Sequence, residues 1–69
     1  MLYGHISRLV PEHHFGFLID DAGLEWFFVE ENVRDGSLDR LWVDERVGFR
    51  PEWTPGGPRA MDVHFEQLD

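Results

Sequence analysis

The chain has no cysteine and no lysine, and both absences narrow its chemistry. Without cysteine there is no disulfide, no thiolate nucleophile and no Cys-based zinc site. Without lysine, all the side-chain positive charge apart from histidine rests on six arginines: Arg8, Arg34, Arg40, Arg46, Arg50 and Arg59. No apolar run approaches the roughly 20 residues a membrane-spanning helix needs. The opening Met1-Leu2-Tyr3-Gly4-His5 lacks the basic and apolar regions of a secretion signal. The expectation is a cytoplasmic protein with no membrane association.

What is present is short, acidic and aromatic. Residues 1–69 make a single domain, of a size at which a core alone supplies little stability and a closed barrel is one of the few solutions. Fourteen acids against six arginines give a net charge of −8. Such a charge repels polyanions at long range, because phosphate affinity comes mainly from cations that displace counterions. Composition alone therefore points away from nucleic acid and towards a domain that binds proteins, or nothing in particular.

Turn signals fall at short intervals: Pro11-Glu12-His13-His14, Asp20-Asp21-Ala22-Gly23, Arg34-Asp35-Gly36-Ser37 and Thr54-Pro55-Gly56-Gly57-Pro58. The pieces between them are rich in β-branched and aromatic residues, which predicts a small all-β barrel or sandwich. Strands are expected near Leu2–Val10, Phe15–Asp20, Glu25–Glu30, Arg46–Trp53 and Arg59–Glu66. Pro51 removes one ladder donor and suggests a bulge or an early end to the fourth strand. In the stretch 31–45, Leu38, Leu41 and Trp42 fit either one helical turn capped by Ser37 or a compact loop covering a barrel end.

Side chains alternate across a strand, so residues two apart share a face. Phe15, Phe17 and Ile19 share one face of the second strand; Trp26 and Phe28 share one face of the third, and Phe27 and Val29 the other. Both strands are apolar on both sides, and a small barrel has one interior. Leu18, Phe27 and Val29 suit that interior beside Ile6, Val47, Phe49 and Val63. Phe15, Phe17, Phe28 and Trp26 then lie outside, with Gly16 leaving room for curvature. An aromatic cluster of this kind is a stacking platform for bases, a protein or dimer contact, or the true core with the faces exchanged. The pattern leaves all three open.

The segment Phe15-Gly16-Phe17-Leu18 resembles the cold-shock domain family, whose first motif reads Lys-Gly-Phe-Gly-Phe-Ile. His13 stands at the lysine and His14 at the first glycine. Phe27-Phe28-Val29-Glu30 is similar to the second motif, Val-Phe-Val-His. Gly4-His5-Ile6 falls where the family opens its first strand with Gly-x-Val. Gly57-Pro58-Arg59-Ala60-Met61-Asp62-Val63 is similar to its Gly-Pro-Gln-Ala-Ala-Asn-Val. The resemblance runs through the whole chain.

It implies a five-stranded antiparallel OB-fold barrel that binds single-stranded RNA or DNA by stacking bases on strands one to three. Carried over, Phe15, Phe17 and Phe28 match stacking phenylalanines. His13 matches a lysine that contacts the strand's backbone, and a histidine carries only part of a charge near neutrality. Arg59 replaces a glutamine beside the face, adding a cation and a stacking plane. Arg8 replaces a tryptophan, and Trp26 lies at a position usually acidic, where it restores stacking area. Against these stand Ser7 for a lysine, Glu30 for the second-motif histidine, and Leu38-Asp39 for Phe-Lys. The alternative is a cold-shock fold used as a protein-interaction module, motivated by the charge and by Glu30 on the face.

Other constellations carry less. His13 and His14 are adjacent and cannot easily chelate one metal, and His5 and His64 meet only if the first and last strands pair. Asp20-Asp21, Glu30-Glu31 and Asp44-Glu45 lack calcium-loop spacing. Ser7 and Ser37 have no triad partners. The expectation is a binding protein rather than an enzyme, with no cofactor and no metal.

Overall fold

The computed structural model describes residues 1–66. Five strands carry the fold: β1 (Leu2–Val10), β2 (Phe15–Asp20), β3 (Glu25–Val29), β4 (Arg46–Thr54) and β5 (Gly57–Phe65), with short 3-10 turns at Pro11–His13 and Glu30–Asn32. They close in the order β1-β2-β3-β5-β4, with β4 returning to β1. This is an all-β closed barrel of the OB type. Neighbours are antiparallel except β3 and β5, which meet through one parallel pair, Phe27 with Arg59. β1 lies between β2 and β4, so His5 and His64 are not on adjoining strands.

The core comprises Ile6, Leu18, Trp26, Phe28, Val47, Phe49, Ala60 and Val63, closed from below by Val33, Leu38 and Leu41 of the long loop. That loop forms no helical turn over 37–42. Ser37 Oγ accepts a bond from the Asp39 N–H at 3.0 Å, and Leu41 N–H donates to the Leu38 carbonyl at 3.0 Å. The compact-loop alternative is the one the chain adopts. Trp42 departs from it, turning outward beside Phe65 with ring centroids 6.1 Å apart. Pro51 does not end β4, which runs on to Thr54; the register shift lies earlier, between Gly48 and Arg50.

The third strand faces the opposite way from the expectation. Phe28 and Trp26 are inside, 0% and 2% exposed, while Phe27 and Val29 are only half-buried. The reason lies in Gly16, the register partner of Phe28. A Cβ on Gly16 would sit 2.8 Å from the tip of the Phe28 ring and 2.9 Å from the Arg8 carbonyl oxygen, so the missing side chain is the space that ring fills. Trp26 is buried with its polar atom satisfied, the indole N–H donating to Asp20 Oδ2 at 2.8 Å. Phe49 and Trp53, both of β4, pack against its ring, each with centroids 5.2 Å away.

Two irregularities redirect side chains. In β1 the register with β2 shifts between Ile6, opposite Leu18, and Arg8, opposite Phe17. Strict alternation would send Arg8 inward with Ile6; the extra residue, Ser7, reverses parity and places Arg8 outside. In β5 Asp62 takes a left-handed conformation (φ 50°), which lets both Ala60 and Val63 face the core although they are an odd number of positions apart.

Candidate functional site

The outward face of β1, β2, β3 and β5 carries a continuous row of side chains. Arg8 is the register partner of Phe17, Phe17 of Phe27, and Phe27 of Arg59. Register partners share a face and lie within side-chain reach. The row therefore reads cation, aromatic, aromatic, cation across four strands. Phe15 joins it: its ring centroid is 5.8 Å from Phe17 and 5.5 Å from Phe27, and Phe17 and Phe27 are 5.6 Å apart. The His13 ring lies nearly parallel to Phe15 at 6.4 Å. The Arg59 guanidinium sits 5.5 Å from the Phe27 ring centroid, within cation–π range.

Of the residues expected at this site, Phe15, Phe17, Arg8, His13 and Arg59 are brought together. Phe28 and Trp26 are not, because both rings are buried within the barrel. Their place on the face is taken by Phe27, which hydropathy assigned to the core. The signal available for Phe27 was the glycine: a glycine in a strand beside bulky rings marks where one of them packs across the backbone.

Glu30 also differs from expectation. It does not stand beside an exposed Phe28. Its Oε2 accepts from the Leu38 backbone N–H at 3.0 Å and its Oε1 is 3.0 Å from His14 Nδ1. The Leu38 N–H, and after it His14, hold the carboxyl below its ordinary range. Glu30 thus ties the long loop to the β1–β2 turn, where His14 is itself left-handed (φ 62°). This is a structural role.

Electrostatics sort the arginines. Arg34 makes a two-pronged pair with Asp62 at 3.0 and 2.9 Å. Arg46 bridges Asp21 at 2.7 and 2.9 Å and Glu66 at 2.8 Å. Among the described residues Arg8, Arg40, Arg50 and Arg59 have no carboxylate partner, and of these Arg8 and Arg59 flank the aromatic row. The two cations flanking the aromatic row are thus left available. Among the described residues no three His, Asp or Glu side chains converge as a metal would require, and no helix is long and apolar enough to cross a membrane.

The fold and this face together define a class, a small closed barrel presenting aromatics between unpaired arginines. No protein-family model matches the chain, and no curated protein matches it in sequence.

Proposed function

We propose that the chain binds single-stranded RNA or DNA, stacking bases on Phe15, Phe17 and Phe27, as a divergent, acidic cold-shock-like domain. The observation that carries the reading is the cross-strand row Arg8–Phe17–Phe27–Arg59. Every base has a face to stack, and aromatic rings between cations serve both the bases and the backbone of an unpaired strand. The resemblance gains support from His14, left-handed at a position where the family has glycine. With Phe27 outward, Trp26-Phe27-Phe28-Val29 becomes the stretch lying along the second motif, and the Glu30 carboxylate is turned to the Leu38 N–H and His14.

Each stacked base contributes about 1–3 kcal/mol, so three give about 3–9 kcal/mol before ordering costs, enough for weak to moderate affinity. The net charge does not forbid this, since charges beyond about 8 Å are largely screened at physiological salt. Each phosphate contact adds about −0.7 to the log–log salt slope on single strands, so Arg8 and Arg59 together limit it to about −1 to −2.

The test is fluorescence anisotropy of end-labelled oligo-dT and oligo-U at low salt. Saturable binding is expected, weakened about 5- to 150-fold by Phe17→Ala or Phe27→Ala in proteins checked to be folded. A second reading, a protein-interaction module, has its own observation: Trp42 and Val43 are 60% and 49% exposed on the long loop. A flat titration with both oligonucleotides at low salt favours that reading and overturns the first.

A further inference from the structure

The row across the outward face ends on an acid. Glu52 of β4 is the register partner of Arg59 in β5, which places both side chains on the side of Phe27. Opposite charges in direct cross-strand register gain by pairing, and Arg34 and Arg46 both take carboxylate partners. Arg59 and Glu52 do not close into an ion pair. The guanidinium leans over Phe27 instead, and its Nε is buried with no hydrogen-bond partner among the described residues. Glu52 stays exposed. Among the described residues the edge of the platform thus presents a carboxylate and a guanidinium in adjoining register with no ion-pair partner, and a base that stacks on Phe27 takes the guanidinium's place over the ring and moves it to the base's edge.

A carboxylate on such a face repels phosphate and accepts from N–H or O–H donors, and the only donors on a base's edge are N–H groups. Adenine and cytosine each offer one amino group on the Watson–Crick edge, and uracil and thymine one ring N–H between two carbonyls. Guanine alone offers two adjacent donors, N1–H and the N2 amino group, spaced for the two oxygens of a carboxylate. Its O6 and N7 then remain to accept from a guanidinium. We propose that Glu52 and Arg59 select guanine for the base stacked on Phe27. The selectivity rests on the face being a single-stranded nucleic-acid platform, as proposed above.

The experiment compares labelled nonathymidylate with the same strand carrying one central deoxyguanosine, and with one central deoxyinosine, which lacks the N2 amino group. A single guanine cannot form a quadruplex, and nine nucleotides let the strand slide until it meets Phe27. The intact protein is expected to bind the guanine strand about tenfold tighter than the all-thymine strand, the size of one good bidentate contact, with inosine between them. In Glu52→Gln, an exposed substitution that spares the fold, the guanine-to-thymine ratio is expected to fall towards one. Equal affinities for the three strands, with binding still sensitive to Phe27→Ala, overturn the selectivity and leave the platform standing. A guanine preference that survives Glu52→Gln overturns the role of Glu52. No binding to any strand overturns the platform and the selectivity with it.

Discussion

Replacing Phe28 by alanine removes a ring that is 0% exposed and packed over Gly16. Phe→Ala in a core costs about 3–5 kcal/mol, through lost transfer energy and the cavity left behind. A chain of 69 residues has a total stability of about 3–10 kcal/mol at about 0.05–0.15 kcal/mol per residue, so the variant should lose from about a third to all of it. Phe27→Ala removes a half-buried ring whose partners are Phe15, Phe17 and Arg59. Surface aromatic pairs add about 0.5–1.5 kcal/mol each beyond area. The expected loss is about 1–3 kcal/mol, leaving a folded protein with impaired strand binding. Urea denaturation followed by circular dichroism ranks the two directly. A Phe27→Ala protein as destabilised as Phe28→Ala, or more so, would refute the assignment of inner and outer faces on which the site depends.

Two further perturbations probe the frame that holds the face. Gly16→Ala should cost about 1–3 kcal/mol of stability by the same assay, because the added methyl meets the Arg8 carbonyl, which is backbone and cannot step aside; a loss within error would show that β1 and β2 can separate there freely. Acid should weaken the fold through Asp20, held low by the Trp26 indole N–H, and through Glu30, held low by the Leu38 N–H and His14. Both folded carboxyls ionise below their ordinary values of 3.8 and 4.5. Their stabilisation is therefore complete above those values and lost as pH falls through the lower folded ones. Urea midpoints should stay level towards pH 5 and drop below about pH 4.5, with a smaller drop in Asp20→Asn; an equal drop in that variant would remove Asp20 from the account.

The strands were legible because turn residues and β-branched or aromatic runs mark them locally. β1 and β2 agree with expectation to the residue, while β5 begins two residues early, at Gly57, because the Gly57-Pro58 turn end is itself paired with Thr54 and Trp53. Which face of β3 points inward was not legible. Trp26-Phe27-Phe28-Val29 is apolar at every position, so hydropathy has no alternation to read, and the answer depends on a cross-strand neighbour, Gly16. Arg8 reached the face for a reason outside simple alternation, the bulge at Ser7. The role of Glu30 was equally hidden, since its hydrogen-bond partner Leu38 lies in a loop whose path no periodicity encodes.

The barrel's narrowest join has a thermodynamic consequence. Every other pair of neighbouring strands is laced by a ladder of at least four residue pairs, whereas β3 and β5 share one, Phe27 with Arg59, supplemented by the bridge of Val33 with Val63. If the proposed function holds, a nucleic-acid strand laid from Phe17 across Phe27 to Arg59 is a strap over this narrowest seam. Occupancy and closure become a single linked equilibrium: whatever affinity is lost when β3 parts from β5 is added, on binding, to the free energy of parting them. Amide exchange along the seam should slow in proportion to occupancy, registering the ligand even where no atom of the protein changes position.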